Sequence, residues 1–203
     1  MSQEDQRAAP AFWLAIALGL GVAALALVPV EPRLGRCGAP GVTFDAACAI
    51  ARAEVAVEAQ APCAQVAGQE RHRCGPRPWQ WVGRAAASVG PGTLDGLWLH
   101  AAPHGQRLIL VFRDVPLAGQ LVGRFGLAAS AGPGAPVTLQ VRAAGAEVLL
   151  VESADDFAAR TFAVALPGDV SRGYLEISVW AREDSRRMAL LDLAIEAGDG
   201  KTP

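Results

Sequence analysis

From residue 79 to residue 196, apolar side chains recur at every second position in short runs separated by Gly, Pro and Asp. A two-residue period sends alternate side chains to opposite faces of an extended chain, so the pattern dictates strands and excludes long helices there. Nine strands are expected, at 80–86, 96–101, 107–112, 121–127, 137–143, 147–151, 160–166, 173–180 and 189–196. The clearest buried rows are Val137, Leu139 and Val141; Phe162, Val164 and Leu166; and Leu191, Leu193 and Ile195. Residues 108–112 are apolar throughout, as a central strand covered on both faces is. Turns are expected at 143–146 and 182–185. Short strands at this spacing, with no helices between them, predict an antiparallel β-sandwich over 79–197 and a short flexible tail at 198–203.

Four cysteines, Cys37, Cys48, Cys63 and Cys74, lie ahead of this region, within 31–78. An even number in a short segment, with no C-x-x-C pair, reads as two disulfides in an oxidising compartment rather than a redox or zinc centre. Four cysteines allow three pairings. A helix running from Cys48 to Cys63 would hold their Cα atoms about 22 Å apart, far beyond disulfide reach. Sequential pairing, Cys37 with Cys48 and Cys63 with Cys74, is preferred. Thr43, Phe44 and Asp45 are expected to cap a short helix at 46–52, followed by a strand at 53–59. The segment is expected to form a small disulfide-bonded collar, because it is too short for a core of its own.

Residues 11–30, AFWLAIALGLGVAALALVPV, carry no charge. A helix of twenty residues spans about 30 Å, the thickness of a bilayer's hydrocarbon core. Phe12 and Trp13 suit the headgroup level at one end, and Pro29 and Pro32 suit a stop at the other. The segment before it carries Glu4 and Asp5 against Arg7, unlike the positive start of a signal peptide. The expectation is a tail at 1–10, a single-pass transmembrane helix at 11–30 and an exterior C-terminal part. The flanking Arg33 and Arg36 lean against that orientation and the cysteines favour it. With a single Lys, Lys201, among eighteen basic residues, the sequence reads as bacterial, and the expected location is the inner membrane with the C-terminal domain in the periplasm. Ala11, Ala15, Gly19 and Ala23 make a small-residue row that lets a second transmembrane helix approach closely.

The run DGLWLHA at 95–101, the apolar 108–112, the stretch 119–127, the Val-Thr-Leu-Gln-Val hairpin strand and the terminal LLDLAIE strand resemble the jelly-roll domains of the galactose-binding-like superfamily. Such ectodomains occur in bacterial cell-envelope proteins. The resemblance covers about residues 79–197 and implies a sandwich, often with carbohydrate or protein binding. No binding-loop motif of that family is present, so no ligand residue is carried over.

A net charge of −2 gives no field to hold nucleic acid. There is no G-x-S-x-G, P-loop, dinucleotide or H-E-x-x-H motif, so no enzyme and no cofactor or metal is expected. His100 and His104 are spaced as zinc ligands on a helix are, but Pro103 and Gly105 make that segment a loop, and His72 stands alone. Asp155 and Asp156 read as a polar loop tip rather than a calcium site. Glycoside hydrolysis would need two converging carboxylates, for which Asp114, Glu152, Glu176 and Asp192 are the candidates. Arg71, Arg73, Arg77 and Arg84, with Arg52 if the chain folds back, interleave with Trp79 and Trp81 in a patch suited to lipid headgroups or an anionic glycan. On 173–180, Leu175, Ile177 and Val179 are expected to face the core. Tyr174, Glu176, Ser178 and Trp180 then share the other face, a platform for a sugar ring or a partner protein. The expected function is a non-catalytic, membrane-anchored accessory subunit that docks a membrane-protein partner through its sandwich and transmembrane face. The alternatives are a cell-envelope glycan-binding module and a carbohydrate-active enzyme.

Overall fold

In a computed structural model, the residues described are 37–102, 105–131, 134–153, 157–182 and 187–198. The expected transmembrane helix, its packing row Ala11, Ala15, Gly19 and Ala23, His104, Asp155, Asp156 and most of the 182–185 turn lie outside them. Among the described residues, no helix is long and apolar enough to cross a membrane.

The chain folds into a mainly antiparallel β-sandwich. In order, the elements are β1 (Val42–Asp45), α1 (Ala46–Ala49), a 3-10 turn (Ile50–Arg52), β2 (Glu54–Val57), β3 (Ala64–Gln65), β4 (Arg71–Arg73), β5 (Trp81–Val89) and β6 (Gly92–His100). They continue with β7 (Leu108–Pro116), β8 (Gln120–Leu127), β9 (Val137–Ala143), β10 (Ala146–Ser153), β11 (Arg160–Ala165), β12 (Arg172–Ala181) and β13 (Met188–Glu196). One sheet has eight strands, ordered β11-β8-β13-β6-β5-β4-β3 with β1 beside β13. The other has five, ordered β10-β9-β12-β7-β2. All nine strands read from the two-residue period are present.

Register explains the core. In the five-stranded sheet, Leu139, Val179 and Leu108 lie abreast, as do Val141, Ile177 and Leu110, and all six are fully buried. In the eight-stranded sheet, Leu97, Leu191 and Phe125 are abreast and equally buried. Each such aliphatic side chain contributes about 1.5–3 kcal/mol by leaving water. The β9–β10 hairpin closes on Ala144 and Gly145, both at positive φ (48° and 91°), the geometry that matches strand twist in a tight hairpin. At Gly96 a Cβ would stand 2.3 Å from the Leu191 carbonyl oxygen, so only glycine lets β6 approach β13 this closely.

The Cys-containing segment, expected as a collar ahead of the sandwich, is woven into it. β1 pairs with β13, β2 with β7 and β4 with β5, so the segment supplies strands to both sheets. The physical reason is that Phe44, Ile50, Val55 and Val57 need burial that a segment this size cannot provide alone. The disulfides are Cys37–Cys48 and Cys63–Cys74, the sequential pairing, with Cα–Cα distances of 5.8 and 4.5 Å. Asp45 caps α1 by accepting a 3.0 Å hydrogen bond from the Cys48 amide. The expected helix at 46–52 is one α turn that tightens into the 3-10 turn, and the strand expected at 53–59 is the shorter β2.

Candidate functional site

The outer face of the five-stranded sheet is built by alternation. Leu175, Ile177 and Val179 point inward, which turns Tyr174, Glu176, Ser178 and Trp180 outward. Pairing with β9 sets Glu176 beside Arg142, Ser178 beside Gln140 and Trp180 beside Thr138; β10 then sets Leu150 beside Gln140 and Glu152 beside Thr138. Across β7, Val111 and Ile109 flank Glu176 and Ser178. Among the described residues, Leu150 (56% exposed) and Tyr174 (40%) are the exposed large hydrophobic side chains, and both stand on this face.

The face is also knit by polar side chains. Arg107 lays its guanidinium 4.5 Å from the centroid of the half-buried Trp180 ring and donates through Nη1 to Gln140 Oε1 at 3.0 Å. Gln140 in turn donates to the Glu147 carboxylate, and Thr138 donates to Glu152 Oε1 at 3.3 Å. Ser178, at 1% exposure, is beneath this layer and meets no solvent. Tyr174 and Trp180 are six residues apart on one strand, hence about 20 Å. They therefore do not make one aromatic surface, and mark opposite ends of the face.

The interleaved Trp and Arg residues assemble on the other sheet. Trp81 and Trp98 stack with centroids 5.4 Å apart and planes 9° from parallel, and Arg71 lies 4.2 Å over the Trp81 ring. Trp98 donates from its indole to the Trp79 carbonyl at 3.4 Å, and Trp79 meets His100 edge-on. Arg71 and Trp98 both pack against the half-buried Trp81 ring. Arg84 reaches Cys37 Sγ at 3.8 Å, whereas Arg52 lines a separate cavity with Arg113 and Arg172. His100 is buried at the end of β6, and burial pushes its imidazole down to about 4 against a smaller opposing effect of the Ala101 backbone. His72, also buried, lies 3.0 Å from the Ile50 carbonyl oxygen.

The four carboxylates nominated for hydrolysis do not converge. Asp192 sits on the eight-stranded sheet with Arg124 at 3.2 Å, Asp114 on β7 is held by Arg172, and Glu152 and Glu176 are on strands separated by β9. A glycosidase pair stands about 5–9.5 Å apart. Cys37, Asp45 and Cys48 lie close enough to hold a metal, but both sulfurs are consumed by their disulfide.

No family model matches the chain, and no curated protein does. Solved structures to which it is similar include three carbohydrate-binding modules. One is CBM51 from Clostridium perfringens GH95 in complex with methyl-galactose: 15% identity, TM-score 0.40, covering 56% of this chain and 80% of that one. A second is TmCBM61 in complex with beta-1,4-galactotriose: 13% identity, TM-score 0.37, covering 72% and 90%. A third is a CBM4 module: 13% identity, TM-score 0.35, covering 57% and 79%. The chemistry of a site follows from this chain's own side chains.

Proposed function

We propose that this chain is a non-catalytic glycan-binding module whose site is the outer face of the five-stranded sheet. The observation that supports it is Trp180 set against Arg107, which Gln140 holds by a hydrogen bond, with hydrogen-bonding side chains on the neighbouring strands. A sugar has an apolar C–H face and a rim of hydroxyls. The first packs on an aromatic ring, and the second exchanges water for side-chain donors and acceptors. Arg107 holds one face of the ring through the cation–π contact, and the sugar is proposed to pack on the other. Gln140, Glu147, Thr138 and Glu152 are already ordered by their mutual hydrogen bonds, which lowers the entropic cost of binding.

The accessory-subunit reading is less well supported. Leu150 and Tyr174 stand apart among polar neighbours, and a protein-docking face usually carries a contiguous apolar centre. Residues 11–30 remain the proposed anchor, holding the module on the outer side of a bacterial inner membrane. Titration of intrinsic tryptophan fluorescence with neutral galactose- and glucose-based oligosaccharides tests the binding. A saturable change with wild type, lost in Trp180→Ala, is expected; no change across the panel, or an undiminished response in the variant, overturns it.

A further inference from the structure

A second feature lies where the Cys-containing segment meets β7 and β12. A cavity of about 250 Å³ opens there, with Phe44 and Phe112 among its lining residues and Arg52, Arg113, Asp114 and Arg172 around it. The two rings meet edge-on, centroids 5.3 Å apart, and both are nearly fully buried, so they close the inner end of a mainly polar cavity. The volume is just below the 300–1,000 Å³ of sites that take drug-sized ligands, so the cavity suits one ring rather than a chain of them.

The charges around it are unequal. Arg113 pairs with Glu54 through two contacts of 2.5 and 3.0 Å. Arg172 grips Asp114 at 2.7 and 2.8 Å and also donates to the Asp114 backbone carbonyl at 2.7 Å. Arg52, exposed at the end of the 3-10 turn, belongs to none of the ion pairs among the described residues. Three guanidinium groups therefore face two carboxylates. Asp114 takes a left-handed backbone (φ 55°) that non-glycine residues adopt sparingly, and Arg172 holds it there from both its side chain and its carbonyl. Its carboxylate is thereby fixed at the cavity wall as an acceptor. The Arg113–Glu54 pair is solvent-exposed, so Arg113 can turn toward an incoming anion at small cost.

We propose that this cavity binds a single acidic sugar residue, with Arg52 on its carboxylate and Asp114 on a ring hydroxyl. The planar, always charged guanidinium matches a carboxylate in a forked geometry. That the ligand is a sugar rests on the glycan-binding reading; that it carries a carboxylate rests on the cavity alone.

The test is calorimetric titration of the folded protein at low ionic strength with methyl β-glucuronide, methyl β-glucoside, acetate and inorganic phosphate. The glucuronide is expected to bind at least tenfold more tightly than each of the other three. Arg52→Gln should lose at least fivefold of that affinity with an unchanged melting temperature, and Arg52→Lys should keep part of it. Trp180→Ala should leave it unaltered, which separates this site from the sheet face. Equal binding of glucuronide and glucoside removes the carboxylate preference. Equal binding of glucuronide and acetate removes the sugar, and phosphate binding as tightly as glucuronide reduces the site to an unselective anion site. An undisturbed Arg52→Gln places any glucuronide site elsewhere. Failure of neutral oligosaccharides at the sheet face, with glucuronide bound here, counts against the function proposed above and leaves this site standing.

Discussion

Phe44 packs edge-on against Phe112 with ring centroids 5.3 Å apart, and the contact joins the two sheets. Phe44 comes from β1, beside β13 of the eight-stranded sheet, and Phe112 from β7 of the five-stranded sheet. Replacing Phe44 by Ala should cost about 3 kcal/mol, since a buried aromatic is lost and the cavity beneath it enlarges. Urea denaturation should show a lower midpoint at unchanged slope. A cost below about 1 kcal/mol would mean that the Cys-containing segment contributes little to the shared core.

Both disulfides tie that segment down. Cys37–Cys48 fixes its start to α1, and Cys63–Cys74 joins the chain after β2 to the chain after β4. Alkylation of the denatured protein without reductant should modify no cysteine, and with reductant all four. Loss of Cys63–Cys74 through Cys63→Ser with Cys74→Ser should lower stability by roughly 2–4 kcal/mol. Labelling of four thiols before reduction would contradict the bonded state.

Much of this was legible in the sequence, because the signals were local. The period-two rows placed nine strands, and the spacing of the cysteines favoured the pairing that the structure holds. Contacts between distant residues left no such trace. Arg172 meets Asp114 across 58 positions and Arg113 meets Glu54 across 59, so the cavity they surround has no local signature. Alternation sets Tyr174 and Trp180 on one face of their strand, yet alone it says nothing about what covers either position. The sequence joins Arg52 to the arginines at 71–84 only if the chain folds back, whereas Arg52 lines the cavity with Arg113 and Arg172.

Acid should weaken the fold through His100. Its imidazole is pushed down to about 4 in the folded protein, against an ordinary value of 6.5, so between those values the unfolded chain binds the extra proton. Stability is therefore unaffected by this group above pH 6.5, falls as pH drops toward 4, and levels off below. The full loss is about 3 kcal/mol. The difference between wild type and His100→Gln in denaturant midpoints from pH 4 to 7.5 isolates this group from the carboxylates. A difference that does not vary with pH in that window contradicts the burial of a neutral imidazole.

Gly96 should tolerate no side chain. A Cβ there would press on the Leu191 carbonyl oxygen at 2.3 Å, and the obstacle is backbone. Gly96→Ala is expected to destabilise by about 2 kcal/mol or more by forcing β6 from β13. Unchanged thermal unfolding would show that the two strands separate freely at that point.

A glycan held on the outer face of the five-stranded sheet would perturb the side chains that line that face. Backbone and indole chemical shifts recorded during titration with a neutral oligosaccharide test that binding most directly. The largest changes should fall on Trp180, Arg107, Gln140 and Thr138, with the Trp81 and Trp98 indoles unmoved. Shifts confined to the Trp81–Trp98 stack, or none at saturating sugar, would contradict it.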